Sequence, residues 1–240
     1  MYTQPTPMVH PRLRVHTGSN RRHVRCMWYA LLCAGALLLS GCVHSGATTT
    51  VHRYDLGAAP SAVVDDRSAQ HDTGKVLGMA QISAPRWLAG TAMYYRLAYR
   101  DDNRLAAYAY SKWTAPPAVL LAGIIRDTLA TQGGWRAVVK AESAAAAAVT
   151  LHLRLTQFSQ VFTQPQHSVG IVEMSATLAA DHAERVVAQQ RFRVQVAAPT
   201  ADAEGGVQAL GTASRELAAR LQHWVQAQAA DHSTGPHADG

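Results

Sequence analysis

Of the 240 residues, three carry a thiol: Cys26, Cys33 and Cys42. Cys42 differs from the other two in its neighbours. It closes the run Leu39-Ser40-Gly41-Cys42, where a thiol follows two small residues at the end of an apolar stretch. No cysteine lies beyond it, so the rest of the chain has neither a disulfide framework nor a cysteine nucleophile. Other chemistry is sparse. There is no G-x-S-x-G, H-E-x-x-H, phosphate-binding glycine loop or C-x-x-C. His44 and His52 flank a Thr-rich stretch, and His232 and His237 lie in a small, polar tail; both pairs read as solvated side chains, not metal ligands. His71-Asp72 is a loop dipeptide without a nearby nucleophile, and Glu173 falls on an outward strand face. The expectation is a protein with no catalytic residue, no metal and no cofactor. The remaining distinctive set is aromatic. Tyr94, Tyr95, Tyr99, Tyr108 and Tyr110 either line a surface for a partner or an acyl chain, or pack a hairpin. Among them Tyr95, Tyr99, Tyr108 and Tyr110 are the candidate partner-binding residues. Trp87 and Trp113 read as core anchors.

The segment before Cys42 explains most of the charge. The formal net charge is +6, yet residues 1–41 hold five arginines and no acid, which leaves the remainder with 17 basic and 16 acidic residues. A basic patch on the folded part is the footprint of nucleic-acid binding, and a balance of +1 withdraws that reading. Residues 21–25 are a charged flank, 26–39 an apolar run of 14 residues, and Ser40-Gly41 a small-residue cleavage zone. A spanning helix needs roughly 20 apolar residues, so the run suits a signal peptide and not a permanent membrane helix. The domain reading is 1–41 leader with an N-terminal extension, 42–50 tether, 51–229 one folded domain and 230–240 a disordered tail.

Within 51–229 the periodicities predict an α+β fold, a mixed and largely antiparallel sheet with two main amphipathic helices packed against it. Strands are expected over 51–56 and 75–82. A hairpin follows, 93–100 and 104–113, around Asp101-Asp102-Asn103. Thr114 would cap a helix that tolerates Pro116 and Pro117 in its first turn. Its stripe is Ala118, Leu121, Ala122, Ile125 and Leu129, ended by Gly133-Gly134. A short strand is expected over 135–139. Val149, Leu151, Leu153 and Leu155 alternate with polar residues, and the phase then slips to Phe158 and Phe162, which predicts a bulge near 156–157. Val172, Met174, Ala176 and Leu178, then Phe192, Val194 and Val196, form the inward faces of the next two strands of a meander. A last helix of about 20 residues repeats Val207, Leu210, Leu217, Leu221 and Trp224, with Glu216 and Arg220 paired on its exposed side.

Leu39-Ser40-Gly41-Cys42 resembles the bacterial lipobox. That resemblance implies cleavage between Gly41 and Cys42, a thioether-linked diacylglycerol on the Cys42 sulfur and acylation of the new N-terminus. Several acyl chains make such an anchor stable where one alone is marginal. Val43 stands where aspartate commonly retains such proteins in the inner membrane, so the resemblance implies the periplasmic side of the outer membrane. Further on, "HRYDLG", "QISAPRWLAG", "MYYRLAYRDDNRLAAYAYSKWTAPPAVLLAGIIRDTLA" and "ALGTASRELAARLQHWV" resemble the ABC-type transport auxiliary lipoprotein component family, which includes paraquat-inducible intermembrane transport lipoproteins. The resemblance spans most of 39–228. It implies a non-enzymatic accessory of a system that moves phospholipids or other hydrophobic compounds between membranes. The implied partners are an ABC permease and ATPase and a mammalian-cell-entry domain protein, together with the membrane through Cys42; a homo-oligomer is also allowed. The alternative is a structural or assembly-factor lipoprotein of the envelope.

Overall fold

The computed structural model describes residues 50–57, 74–143, 147–180 and 185–234, with Ser143 and the last four of these as backbone alone. The chain divides into two compact units, Met1–Thr48 and Thr49–Gly240. Gly41 and Cys42 belong to the first and lie outside the described residues.

The organising element of the second unit is its longest strand, β6 (Val149–Gln164). Val149, Leu151, Leu153 and Leu155 are buried on one face, while His152 and Arg154 are exposed on the other. The register to the next strand, β7 (His167–Ala180), shifts between Leu155 and Gln157. Thr156 is the extra residue of this bulge, and its hydroxyl donates to the Glu173 carbonyl at 3.1 Å. The bulge turns Phe158 back to the inner face, where it is buried. β8 (Arg185–Ala197) completes an antiparallel meander with Phe192 and Val194 buried, as the alternation predicts. Two helices cover the inner face. The first, α1 (Pro117–Gln132), packs on the second, α2 (Ala203–Thr234), which crosses β7 and β8. Leu210, Leu217, Leu221 and Val225 of α2 bury at helical spacing. Glu216 and Arg220 pair on its exposed side.

The other edge of β6 is divided. Near its start, residues 149–151 pair in parallel with β2 (Val76–Met79), which pairs in parallel with β5 (Ala137–Lys140). Near its end, residues 160–162 pair in parallel with β3 (Ala92–Leu97). β3 forms an antiparallel hairpin with β4 (Leu105–Trp113), and β1 (His52–Tyr54) lies parallel to β4. The eight described strands form one mixed sheet, antiparallel along its longest ladders, and the fold is α+β.

Several local expectations shift. Pro116 and not Thr114 is the cap of α1, because Pro117 takes the first helical position, where its missing N–H costs nothing. α2 has 32 residues, longer than the apolar repeat predicts. Its last turns are rich in alanine and glutamine, good helix formers, and the small Ala229 still continues the buried stripe there. β3 stops at Leu97, so Tyr99 sits in the turn. Trp113 is a core anchor, 1% exposed, but Trp87 is 37% exposed. Trp87 and Leu88 share one 3-10 turn (Arg86–Leu88), and only Leu88 faces the core.

Candidate functional site

Two places on the domain could meet a partner: the β3–β4 hairpin, and a cleft beside α1.

The hairpin joins the main sheet through aromatic packing and one buried amide. Tyr95 lies with its ring 4.7 Å from Tyr108 and 6.0 Å, edge-on, from Phe162. The Tyr108 hydroxyl donates to Gln160 Oε1 at 2.8 Å. Gln160 Nε2 in turn donates to Ser168 Oγ at 2.7 Å and to the Asp202 carbonyl at 3.0 Å. Gln160 is fully buried, and these bonds satisfy its amide, as a buried polar group requires. Burial pushes the Tyr108 hydroxyl well above the usual phenol range, with Tyr95 and Asp202 adding to the shift. It therefore stays protonated and remains the donor. Asp202 caps α2: its carboxylate accepts from the Gly205 N–H and from the Thr200 hydroxyl, both at 2.8 Å, and these bonds hold its pKa below the usual value. Two glycines let α2 approach this closely. A Cβ on Gly206 would stand 2.1 Å from Gln160 Oε1, and one on Gly170 would stand 2.8 Å from the Leu210 nitrogen.

The four candidate tyrosines thus divide in two. Tyr95 and Tyr108 are half-buried and tie the hairpin to β6 and to the start of α2. Tyr99, in the turn, is 42% exposed and Tyr110, on β4, is 56% exposed. The hairpin turn itself is closed by Asp101 Oδ1, which accepts from the Asn103 N–H at 3.0 Å, and by Arg96, which donates to the Asp102 carbonyl.

The cleft, of about 740 Å³, lies between the end of β2 with the loop after it and the first turns of α1. Met79, Ile82, Leu88, Pro116, Val119 and Ala122 line it, and Arg126, Lys140 and Glu142 stand at its rim. Val119 is 55% exposed. It lies outside the stripe expected of α1. The signal was present in the composition: residues 117–125 hold no charged or amide side chain, more apolar surface than one buried stripe uses.

Among the described residues no group of three or more His, Cys, Asp and Glu side chains could hold a metal ion. Nor is any described helix long and apolar enough to cross a membrane. His52 lies near Tyr54, with ring centroids 6.5 Å apart, and Glu173 is engaged by Arg193 at 2.9 Å.

A family model described as ABC-type transport auxiliary lipoprotein component matches residues 54–222. A crystal structure of a Xanthomonas campestris protein superposes with a TM-score of 0.58 at 20% identity, covering 67% of this chain and 88% of that one. A second solved structure, of an uncharacterized protein, gives 0.58 at 16% identity over 73% and 99% of the two chains. These two likenesses speak for the fold. A subunit of the PelC dodecamer from Paraburkholderia phytofirmans gives 0.39 at 14% identity over 61% and 85%, a likeness too distant to carry an argument. No curated protein matches the chain.

Proposed function

From the premise that the chain belongs to the ABC-type transport auxiliary lipoprotein component family, we propose that it is a lipid-anchored accessory of a system carrying phospholipids or other hydrophobic compounds between the two membranes. Its anchor is the acylated Cys42, exposed by cleavage after Gly41, and its address is the periplasmic side of the outer membrane. Its partners are an ABC permease and ATPase and a mammalian-cell-entry domain protein. It acts by binding and not by catalysis.

The observation that carries this reading is the extent of the family match, which runs from β1 into α2 and takes in both surfaces described above. The exposed Tyr99 and Tyr110 are the contact residues, since tyrosine buries a large area at a small entropic cost. Tyr95 and Tyr108 hold the hairpin that presents them and are positioning residues. A tether at Cys42 concentrates this surface at one membrane.

Two experiments test the reading. Cys42→Ala should leave the leader uncut and abolish palmitate labelling; a variant that is still labelled and fractionates like wild type removes the anchor. A photocrosslinking residue at Tyr99 or Tyr110, activated in native membranes, should capture the mammalian-cell-entry protein or the permease. Crosslinks to neither remove the docking role.

A further inference from the structure

The side of the sheet turned away from the helices is basic. By strand alternation, His152 and Arg154 of β6 and Arg191 and Arg193 of β8 share it, with Glu173, Ser175 and Thr177 of β7 between them. Arg193 donates to a Glu173 carboxylate oxygen at 2.9 Å and to Gln157 Oε1 at 3.1 Å, and Arg191 stands 3.9 Å from the other Glu173 oxygen. One carboxylate therefore serves two guanidiniums, and the Arg191 side chain remains 71% exposed. Among the described residues no carboxylate lies within ion-pairing distance of Arg154. Arg154 and Arg191 border a shallow depression of about 470 Å³ that also gathers the hydroxyls of Ser175 and Thr177; those of Ser83 and Thr156, beside them, already donate to the Leu153 and Glu173 carbonyls. Farther along the same side, Arg53 and Lys112 stand opposite one another in the parallel β1–β4 register, since their neighbour Trp113 points into the core. After Gly41 the chain is only +1, so this excess comes from placement and not from composition. Asp127, Glu142, Asp202, Glu204 and Glu216 stand on helices and turns.

We propose that this sheet face binds the phosphate groups of anionic phospholipids in the bilayer to which the protein is tethered, a proposal that rests on the reading of Cys42 as the anchor. Guanidinium and hydroxyl donors are the groups that take phosphate oxygens, guanidinium in a bidentate fork. Two features select a bilayer over an acidic protein. The first is reach. Thr50 lies eight positions after Cys42, at most about 28 Å of fully extended chain. The chain then enters β1, whose Arg53 lies on this face. The second is the company the charges keep. By alternation Tyr94, next to the inward Tyr95, belongs to this side; it is half-buried against the core, and the exposed Trp87 meets it edge-on at 5.4 Å. An exposed Trp that follows a basic residue, here Arg86, is of the composition of a membrane interface.

The test uses the full lipidated protein on vesicles and maps the modification of each arginine by phenylglyoxal with mass spectrometry. On phosphatidylcholine vesicles containing phosphatidylglycerol, Arg154 and Arg191 should react about five-fold more slowly than on pure phosphatidylcholine, the factor expected of a basic residue near an anionic surface. Arg126 and Arg220, on the helices, should react alike on both, and high salt should erase the difference. Arg154→Ala should weaken the protection of Arg191. Equal rates for all four arginines on both vesicles overturn the proposal. So does protection that is indifferent to lipid charge and arises only on adding the transport partner, which assigns the face to an acidic protein. Flotation with the neutral vesicles reads the anchor separately. Protein that fails to float there, yet is protected by anionic vesicles, keeps the face and removes the anchor.

Discussion

The meander of β6, β7 and β8 under α2 and the hairpin half of β1, β3 and β4 belong to one sheet but are held in different ways. The meander is secured by repetition: long antiparallel ladders, with a buried apolar side chain at every second position. The hairpin half touches β6 through three parallel residue pairs, Tyr95↔Gln160 to Leu97↔Phe162, through the Tyr108–Gln160 bond and through a few aromatic contacts, Tyr95 on Phe162 and the buried Trp113 edge-on to Phe158 at 5.3 Å. Losing one contact in the meander leaves many others in place. Losing one at the hairpin removes a large share of what binds it. Stability in this domain is therefore set mainly by the meander, while the orientation of the exposed tyrosines is set by a few contacts, the Gln160 bonds and the packing of Tyr95 and Trp113 among them.

The largest effect should come from the meander. Leu155→Ala or Met174→Ala removes a fully buried side chain and should cost about 2–5 kcal/mol, read as a lower denaturant midpoint for the whole domain. A loss confined to the hairpin would reverse the assignment of roles. Next is Gln160→Leu, which strands the Tyr108 hydroxyl, the Ser168 hydroxyl and the Asp202 carbonyl. It should cost about 1–3 kcal/mol and speed hydrogen exchange across 92–113 while 167–197 stay protected. Uniform acceleration would mean that the two regions open as one.

Tyr108→Phe is the gentler form of the same cut, about 1 kcal/mol at neutral pH. It also carries a pH signature. The folded Tyr108 pKa is raised, so the stabilisation is complete below the ordinary tyrosine pKa near 10 and is lost as pH rises above it. The wild type should therefore show a fall in stability above pH ~10 that the phenylalanine variant lacks in part. Parallel curves would mean that Tyr108 is not buried as described. At the small end, Tyr110→Ala should leave the melting temperature nearly unchanged while reducing co-purification with the mammalian-cell-entry protein. A large drop in melting temperature would place Tyr110 among the packing residues.

The same contrast decides what could be read from the sequence. The meander was legible because period-two alternation is local, and even the bulge announced itself when Phe158 fell out of phase with Leu155. The stripe of α1 and the repeat of α2 were legible for the same reason. The division of β6 between two small groups of strands was not. A parallel pairing of three residues across more than 60 positions of chain leaves no local trace. Gln160 was invisible as a junction, because a glutamine at an inward position looks like a lapse in the pattern until its partners are known. The tyrosines were legible as a set but not in their division, which depends on where β3 ends. The cleft was missed because the apolar count on α1 was read as one stripe.

The divided edge of β6 also bears on how the chain is made. The hairpin group, β1 with β3 and β4, and the pair β2 with β5 all precede residue 149, and among the described strands only β6 joins them. A chain synthesised from its N-terminus thus carries two unjoined fragments, with Met93, Trp113 and Leu77 uncovered, until residues 149–164 have emerged. Fragments that must wait for a distant partner are slow to fold and prone to stick. A chain truncated before β6 should therefore be cut by proteases faster than the full-length protein.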